Sequence, residues 1–230
     1  MIRISLVLAA VAFAAALAAS HAQERAGRFD YLVRADMFNG FEGDEEAFDR
    51  AMALCEQRLA ANPDDAEPLV WHGVGLMFRA GRAAMAGGRD QAAIFGRQGF
   101  AEMARAVALA PDTVGVLIPR GAVLLAAAKD MPQGPRAREY LRTAIDDFER
   151  ALRIQQPRLA RMSTHAKGEL LGGLAEGWSR LDDMDKSRVY LRQVIDELPD
   201  SKYAAAAQVR LANSADRSPI TCLGCHRRAQ

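Results

Sequence analysis

Apolar residues recur at three- and four-residue spacings over most of the chain, which is the period of an amphipathic helix. Four of these helical patterns stop at Pro63, Pro111, Pro157 and Pro199. Proline cannot continue a helix, and the aspartate that follows three of these prolines can cap the next one. The sequence therefore predicts an all-α fold. The recurrence of similar stops suggests an internal repeat.

The residues between the prolines resemble the tetratricopeptide repeat (TPR) family, a helix–turn–helix unit of about 34 residues with the pattern W-x2-L-G-x2-Y, A-x3-F and P. The first-helix spacing is matched by Trp71, Val74, Gly75 and Phe78, by Leu171, Leu174, Ala175 and Trp178, and more loosely by Ile118, Gly121, Ala122 and Leu125. The second-helix spacing is matched by Gly99, Met103, Ala106 and Pro111, by Ala144, Phe148 and Ala151, and by Ser187, Leu191, Val194 and Pro199. A weaker opening pair spans residues 29–61. The resemblance implies an irregular TPR-like helix–turn–helix solenoid over residues 23–212, with a concave face that binds protein partners.

The family pattern also assigns packing roles. Small residues such as Gly75 and Ala175 are expected to let the two helices of a pair approach, while Trp71 and Trp178 fill the gaps between neighbours. The intervals between prolines exceed the unit length of the family, so insertions are expected at 82–89 and 129–138. A last helix over 201–211 should cap the stack. A generic helical bundle is the alternative.

The first 22 residues have the form of a secretory signal peptide. Arg3 precedes an apolar run over residues 4–17, and the run leads to the small-x-small sequence Ser20-His21-Ala22. The apolar run is shorter than a bilayer-spanning helix requires, although an uncleaved N-terminal anchor is the alternative. The absence of a cysteine at this point argues against a lipoprotein. We expect a mature chain that begins at Gln23, lies in the periplasm and has no stable membrane insertion.

Charge and composition narrow the classes of partner that the protein is expected to bind. The chain has 30 Lys and Arg against 29 Asp and Glu, and loss of Arg3 with the signal peptide brings the formal charge close to zero. This balance argues against nucleic acid or an anionic membrane as the main partner. The richness in alanine and the low aromatic content suit closely packed helices. The arginines at positions 79, 82, 89 and 97 suggest a basic stretch near the middle repeats, with a solvated surface as the alternative.

The strongest chemical signal is Cys222-Leu-Gly-Cys225-His226 near the C-terminus. C-x-x-C-H is typical of covalent haem c attachment. Two thiols at this spacing can form thioethers with the two vinyl groups of one porphyrin, and the following histidine can then ligate the iron. Residues 213–230 are therefore predicted to be a polar linker followed by a short, irregular haem-binding tail. The predicted export agrees with this interpretation.

Other roles for these cysteines remain open. A thioredoxin-like pair needs a β-sheet beside it, a disulfide across so small a loop stabilises little, and a zinc site needs a fourth ligand. Cys55 lies on a helical stretch and is expected to be a small buried core residue.

A sixth ligand to the iron must come from the repeats or from another molecule, because few residues follow the motif. His165 begins the last full repeat and is the nearest histidine in sequence. His72, Met131, Met162 and Met184 are the alternatives, and an open or water-bound iron is also compatible with the sequence.

Two functions fit these features. The first is a periplasmic monohaem c-type cytochrome that exchanges single electrons with a partner protein, itself a redox protein, docked on the repeats. The second is a secreted TPR-type adaptor whose tail cysteines hold haem for sensing or structure, or form a disulfide, without electron transfer. An electron carrier or adaptor is favoured over an enzyme, because no nucleophile–base arrangement is visible.

Overall fold

The structure, a computed structural model, describes residues 28–129, 131–213, 216 and 220–221. These residues form nine α-helices and one 3₁₀ segment, with no strand among them. The helices are α1 (Phe29–Phe41), α2 (Glu45–Ala61), α3 (Ala66–Met85), α4 (Arg89–Leu109), α5 (Val114–Lys129), α6 (Pro135–Gln155), α7 (Thr164–Arg180), α8 (Met184–Glu197) and α9 (Lys202–Ala212), and the 3₁₀ segment is Gln156–Arg161. The prediction of an all-α fold is confirmed.

The helices pack as consecutive hairpins. Contacts are densest between α1 and α2, α3 and α4, α5 and α6, and α7 and α8, and each hairpin then packs on the next. Helix α9 follows on α8 and also reaches α7, which is the position of a capping helix. One large apolar cluster runs from α1 to α7, and a smaller one joins α7, α8 and α9. The predicted final helix is thus confirmed.

The predicted helix ends agree with the structure, but their capping differs. Helices α2, α4 and α8 all end just before a proline. Ser201, rather than Asp200, caps α9 by accepting a hydrogen bond from the amide of Ala204. Asp200 instead has a positive φ of 62° in the turn, a conformation that aspartate tolerates better than most residues. The prolines stop these helices as expected, and at α9 the neighbouring serine takes the capping role.

The extra length of the middle repeats lies in long helices rather than in inserted loops. Helices α3, α4 and α6 have 20, 21 and 21 residues. Arg82 lies inside α3 and Arg89 begins α4, so the insertion expected at 82–89 is wrong apart from a short turn. At 129–138, α5 ends at Lys129 and α6 begins at Pro135, so residues 131–134 form a short connection outside both helices.

The α3–α4 hairpin depends on two glycines. A Cβ atom at Gly99 would lie 2.7 Å from the carbonyl oxygen of Gly73, and one at Gly73 would lie 2.8 Å from the carbonyl oxygen of Gly99. The two backbones therefore approach more closely than any side chain allows. Gly75, which we expected at this contact, instead faces Met52 of the preceding hairpin. The close approach is as predicted, but the glycine responsible is a different one.

The two tryptophans differ in their roles. Trp71 is 4% exposed and packs edge-to-face against Phe38 of α1, with 6.4 Å between ring centroids. It therefore fills the gap to the neighbouring hairpin, as predicted. Trp178 is only half-buried, and the ammonium of Lys186 lies 3.7 Å from its ring centroid. Ala175 lies within its own hairpin as predicted, since its carbonyl accepts a hydrogen bond of 2.8 Å from the Ser187 hydroxyl.

We expect Gly99→Ala to lower the free energy of unfolding by up to about 2 kcal/mol. Overpacking costs ~1–3 kcal/mol, and the better helix propensity of alanine returns ~1 kcal/mol. Gly96→Ala is the matched control, because a Cβ atom there meets only the Cβ of Ala80 at 3.8 Å. The control variant should be as stable as the parent or slightly more stable. Urea unfolding followed by circular dichroism measures both, and equal stability of the two variants would contradict the glycine contact.

Candidate functional site

The predicted haem-attachment residues Cys222, Cys225 and His226 lie outside the described residues. The two residues immediately before them are described and are buried. Ile220 is 4% exposed and Thr221 is 7% exposed. The chain that leads into the motif therefore lies against the helical scaffold at this point.

Ile220 is held by a gap on α7. A Cβ atom at Gly172 would lie 2.8 Å from Cγ2 of Ile220 and 3.6 Å from Cγ2 of Thr221. Ile220 belongs to the small apolar cluster that also contains Leu171 and Leu191. Glycine at position 172 thus leaves the space that the isoleucine side chain fills. This contact fixes the position of the backbone two residues before Cys222, the first predicted haem cysteine.

Glu176, one turn further along α7, holds the backbone of the same segment. Its carboxylate accepts a hydrogen bond from the amide of Ile220, and Arg180 lies 3.8 Å away. Burial nevertheless raises the pKa of Glu176, although the charges of Arg180, Arg210 and Lys129 oppose this shift. Glu176 is therefore a buried carboxyl group beside Ile220, and its neighbours are cationic side chains and one backbone amide.

His165 lies on the same face of α7 as Gly172. The two positions are seven residues apart, which is two helical turns or about 10 Å. His165 is exposed, and its Nδ1 lies 3.1 Å from the hydroxyl oxygen of Tyr203. That hydroxyl donates a hydrogen bond of 2.9 Å to Oε1 of Glu169. The neutral tautomer compatible with this hydrogen-bond chain donates from Nδ1 to Tyr203 and carries its lone pair on Nε2.

The other candidate ligands have different surroundings. His72 lies on α3, 12% exposed, with Nδ1 2.6 Å from Glu102 and Nε2 3.7 Å from Glu56. Both ring nitrogens of His72 therefore face carboxylates. Met131, in the turn between α5 and α6, lines a cavity, and Met162 is half-buried against the large cluster. None of these side chains shares the α7 face with Ile220.

Cys55 has the surroundings that were predicted for it. It is fully buried in α2, and burial raises the pKa of its thiol to about 12. A thiol with so high a pKa is unreactive at neutral pH. In the part of the chain that is described, no three His, Cys, Asp or Glu side chains are grouped closely enough to hold a metal ion. Nor does any described helix combine the length and hydropathy of a membrane span.

The four arginines that suggested a basic stretch have the following surroundings. Arg79 lies over the ring of Phe48, with its guanidinium carbon 5.3 Å from the ring centroid. Arg82 forms an ion pair with Glu45. Arg89 stands at the start of α4, and Arg97 lines a cavity. Arg82 and Arg97 thus line the same cavity.

Comparisons with known proteins support the fold. No family model matches the chain, and no curated protein is similar to it in sequence. Among solved structures, a thermophilic TPR protein from Thermus thermophilus is similar over 85% of this chain and 87% of that chain, with a TM-score of 0.51 and 20% identity. At this identity the likeness concerns the fold alone. It confirms the TPR-like arrangement of the helices.

The sequence alone did not show that Ile220 packs against Gly172 of α7. Ile220 was expected to lie in the irregular tail that follows the linker of residues 213–219. An isolated isoleucine after Ser218-Pro219 carries no periodic signal that would mark it as buried. A hint lies in Gly172-Gly173 on α7, because paired glycines in a buried helix leave space for another group.

We expect Ile220→Asp to release the C-terminal segment from α7 while the helices stay folded. The aspartate would place an unpaired charge in an apolar seat beside Glu176, which is unfavourable. Limited proteolysis with mass spectrometry should show faster loss of C-terminal residues, with unchanged far-ultraviolet circular dichroism. Val209→Asp on α9 is the matched control, because Val209 is 53% exposed. Equal cleavage rates in the two variants would contradict the buried contact.

Proposed function

We propose that this protein is an exported monohaem c-type cytochrome whose TPR-like scaffold holds the haem at the C-terminal end and docks a redox partner. The observation that carries the proposal is the burial of Ile220 and Thr221 on α7, directly before Cys222. A haem-attachment motif that directly follows a segment packed on a rigid scaffold can hold the haem at a reproducible distance from a docked partner. A motif on a long free tether could not.

The donor set fits haem c. Cys222 and Cys225 supply the two thiols that attach the porphyrin, and His226 supplies an imidazole for the iron. Once bound, the haem iron provides one-electron transfer. The remaining task of the chain is to hold the group in place and adjust its surroundings. Ile220 and Glu176 would fix the approach of the chain to α7, through the apolar seat and the amide hydrogen bond.

His165 is the sixth ligand that the geometry favours. It shares a face of α7 with the seat of Ile220, about two turns away. The Glu169–Tyr203–His165 hydrogen-bond chain orients the imidazole and places its lone pair on Nε2. Metal-bound histidines in proteins are commonly oriented by such partners at the other ring nitrogen. His72 has no comparable arrangement, since both of its nitrogens face carboxylates.

The partner is proposed to be a protein, because the fold is TPR-like and stacked helix hairpins present extended surfaces to other proteins. Electron carriers bind their partners transiently, so the interface need not be large. The predicted export signal would place this exchange in the periplasm, where haem c is attached.

We expect the purified periplasmic protein, produced with haem c maturation proteins, to give a c-type pyridine haemochrome spectrum under denaturing conditions. The double variant Cys222→Ala/Cys225→Ala should lose the covalent haem and keep its helicity. Cys55→Ala is the matched control, because Cys55 is buried in α2 and unreactive, and its haem content should equal that of the parent. Wild-type protein without covalent haem, beside a control cytochrome that matures normally, would refute the proposal.

In that case the second function would gain support, a secreted TPR-type adaptor whose tail cysteines form a disulfide. Covalent haem that does not change oxidation state with mild oxidants and reductants would also favour an adaptor, with haem serving structure or sensing. These outcomes separate the cofactor from the electron-transfer role.

We expect His165→Ala to convert a low-spin haem to a high-spin or water-ligated one. The reason is loss of the imidazole whose Nε2 would complete the coordination. Absorption and electron paramagnetic resonance spectra of the oxidised protein report the spin state. The matched control is His72→Gln, which should leave the spectra unchanged. A low-spin spectrum that persists in His165→Ala would exclude this ligand.

A further inference from the structure

A cavity of about 640 Å³ lies at the other end of the scaffold, away from the C-terminal segment. Helices α1, α3, α4, α5 and α6 form its walls. Its volume is within the range of ~300–1,000 Å³ that is usual for small-molecule sites. No residue of α7, α8 or α9 lines it, so it is separate from the proposed haem site.

The walls of this cavity are mostly apolar. Aromatic rings from three hairpins face it, and Phe100 stacks on Tyr140 with 5.3 Å between centroids. Alanine and glycine residues of α3, α4 and α5 form much of the remaining wall and leave the space open. An apolar chain placed there would be removed from water, which is favourable by roughly 25 cal/mol per Å².

Two arginines give the cavity a charged edge. Arg97 of α4 and Arg136 of α6 both line it and are both exposed. In the described part of the chain neither guanidinium has a carboxylate within 4.0 Å, whereas Arg82, also in the lining, pairs with Glu45. Glu139 is the one acidic residue of the lining. The balance at the edge is therefore positive, and two cations remain for an anionic group.

Inside the cavity wall, one polar group lacks a partner. The indole nitrogen of Trp71 is buried and has no hydrogen-bond acceptor among the described residues, and Trp71 itself is 4% exposed. Buried donors in proteins are nearly always paired with protein, ligand or water. This nitrogen is itself shielded, so the wall at Trp71 offers an occupant apolar ring surface.

We propose that this cavity binds a long-chain carboxylate, an aliphatic anion of the fatty-acid class. The apolar walls take the hydrocarbon chain, and Arg97 and Arg136 take the carboxylate at the open edge. Charge-assisted hydrogen bonds from arginine to carboxylate are among the strongest that proteins form. The choice of a carboxylate follows from this charge complementarity.

Dodecanoate is the probe, and isothermal titration calorimetry of the full mature protein is the measurement. We expect one dodecanoate to bind per chain. The double variant Arg97→Gln/Arg136→Gln should bind it at least tenfold more weakly, and Ala126→Phe should abolish binding by filling the cavity. Arg89→Gln is the matched control, because Arg89 begins the same helix but does not line the cavity. Its affinity should equal that of the parent.

Dodecyltrimethylammonium, with the same chain length and the opposite charge, tests the role of the arginines. It should bind at least tenfold more weakly than dodecanoate. Equal binding of the two amphiphiles would overturn the proposal and indicate a general apolar surface, such as a groove for a partner helix. Absence of dodecanoate binding would overturn it as well. Since Cys222→Ala/Cys225→Ala should bind dodecanoate normally, this result is independent of the haem.

Discussion

The close approach of helix backbones is the constraint on which the rest of this structure depends. With few aromatic residues, the chain gains its packing by bringing glycine on one helix against backbone or a large side chain on another. Gly73 and Gly99 set the α3–α4 distance, and the ring of Phe148 lies within 3.4 Å of the Cβ positions of both Gly121 and Gly173. On α7, Gly172 in the same way leaves the space that the Ile220 side chain fills. Spacing between hairpins and the position of the C-terminal segment therefore have one physical origin.

The α5–α6 hairpin contains a buried ion pair. Arg120 of α5 donates two hydrogen bonds, of 2.7 and 2.6 Å, to Asp147 of α6. Burial raises the pKa of Asp147 even so, because removal of the carboxylate from water outweighs the effect of the guanidinium. The same hairpin carries Arg136, for which the described residues provide no carboxylate partner.

The sequence predicted the helices and their stops at these prolines, because both follow from local period and from the chemistry of proline. The TPR-like arrangement was expected from the motif resemblance. It failed where the answer depends on which helices meet. The hydrophobic period could not show that 82–89 would extend two helices, nor that Gly75 would face Met52 of the preceding hairpin. The motif at Cys222 was visible from spacing alone. The burial of Ile220 before it was not, since a long-range contact leaves no local pattern.

The face of α7 shows how such information is hidden in a sequence. His165, Glu169, Gly172 and Glu176 follow at spacings of four, three and four, which places them on one side of the helix. In isolation the series looks like an ordinary polar face with a glycine in it. The structure places Ile220 against the glycine, an amide against Glu176, and Tyr203 between Glu169 and His165. Gly172 and Glu176 thus contact the C-terminal segment, and Glu169 is linked to His165 through Tyr203. The residue spacing shows only that these side chains share a face, whereas their individual partners come from α9 and from the segment at Ile220, which no local pattern could have indicated.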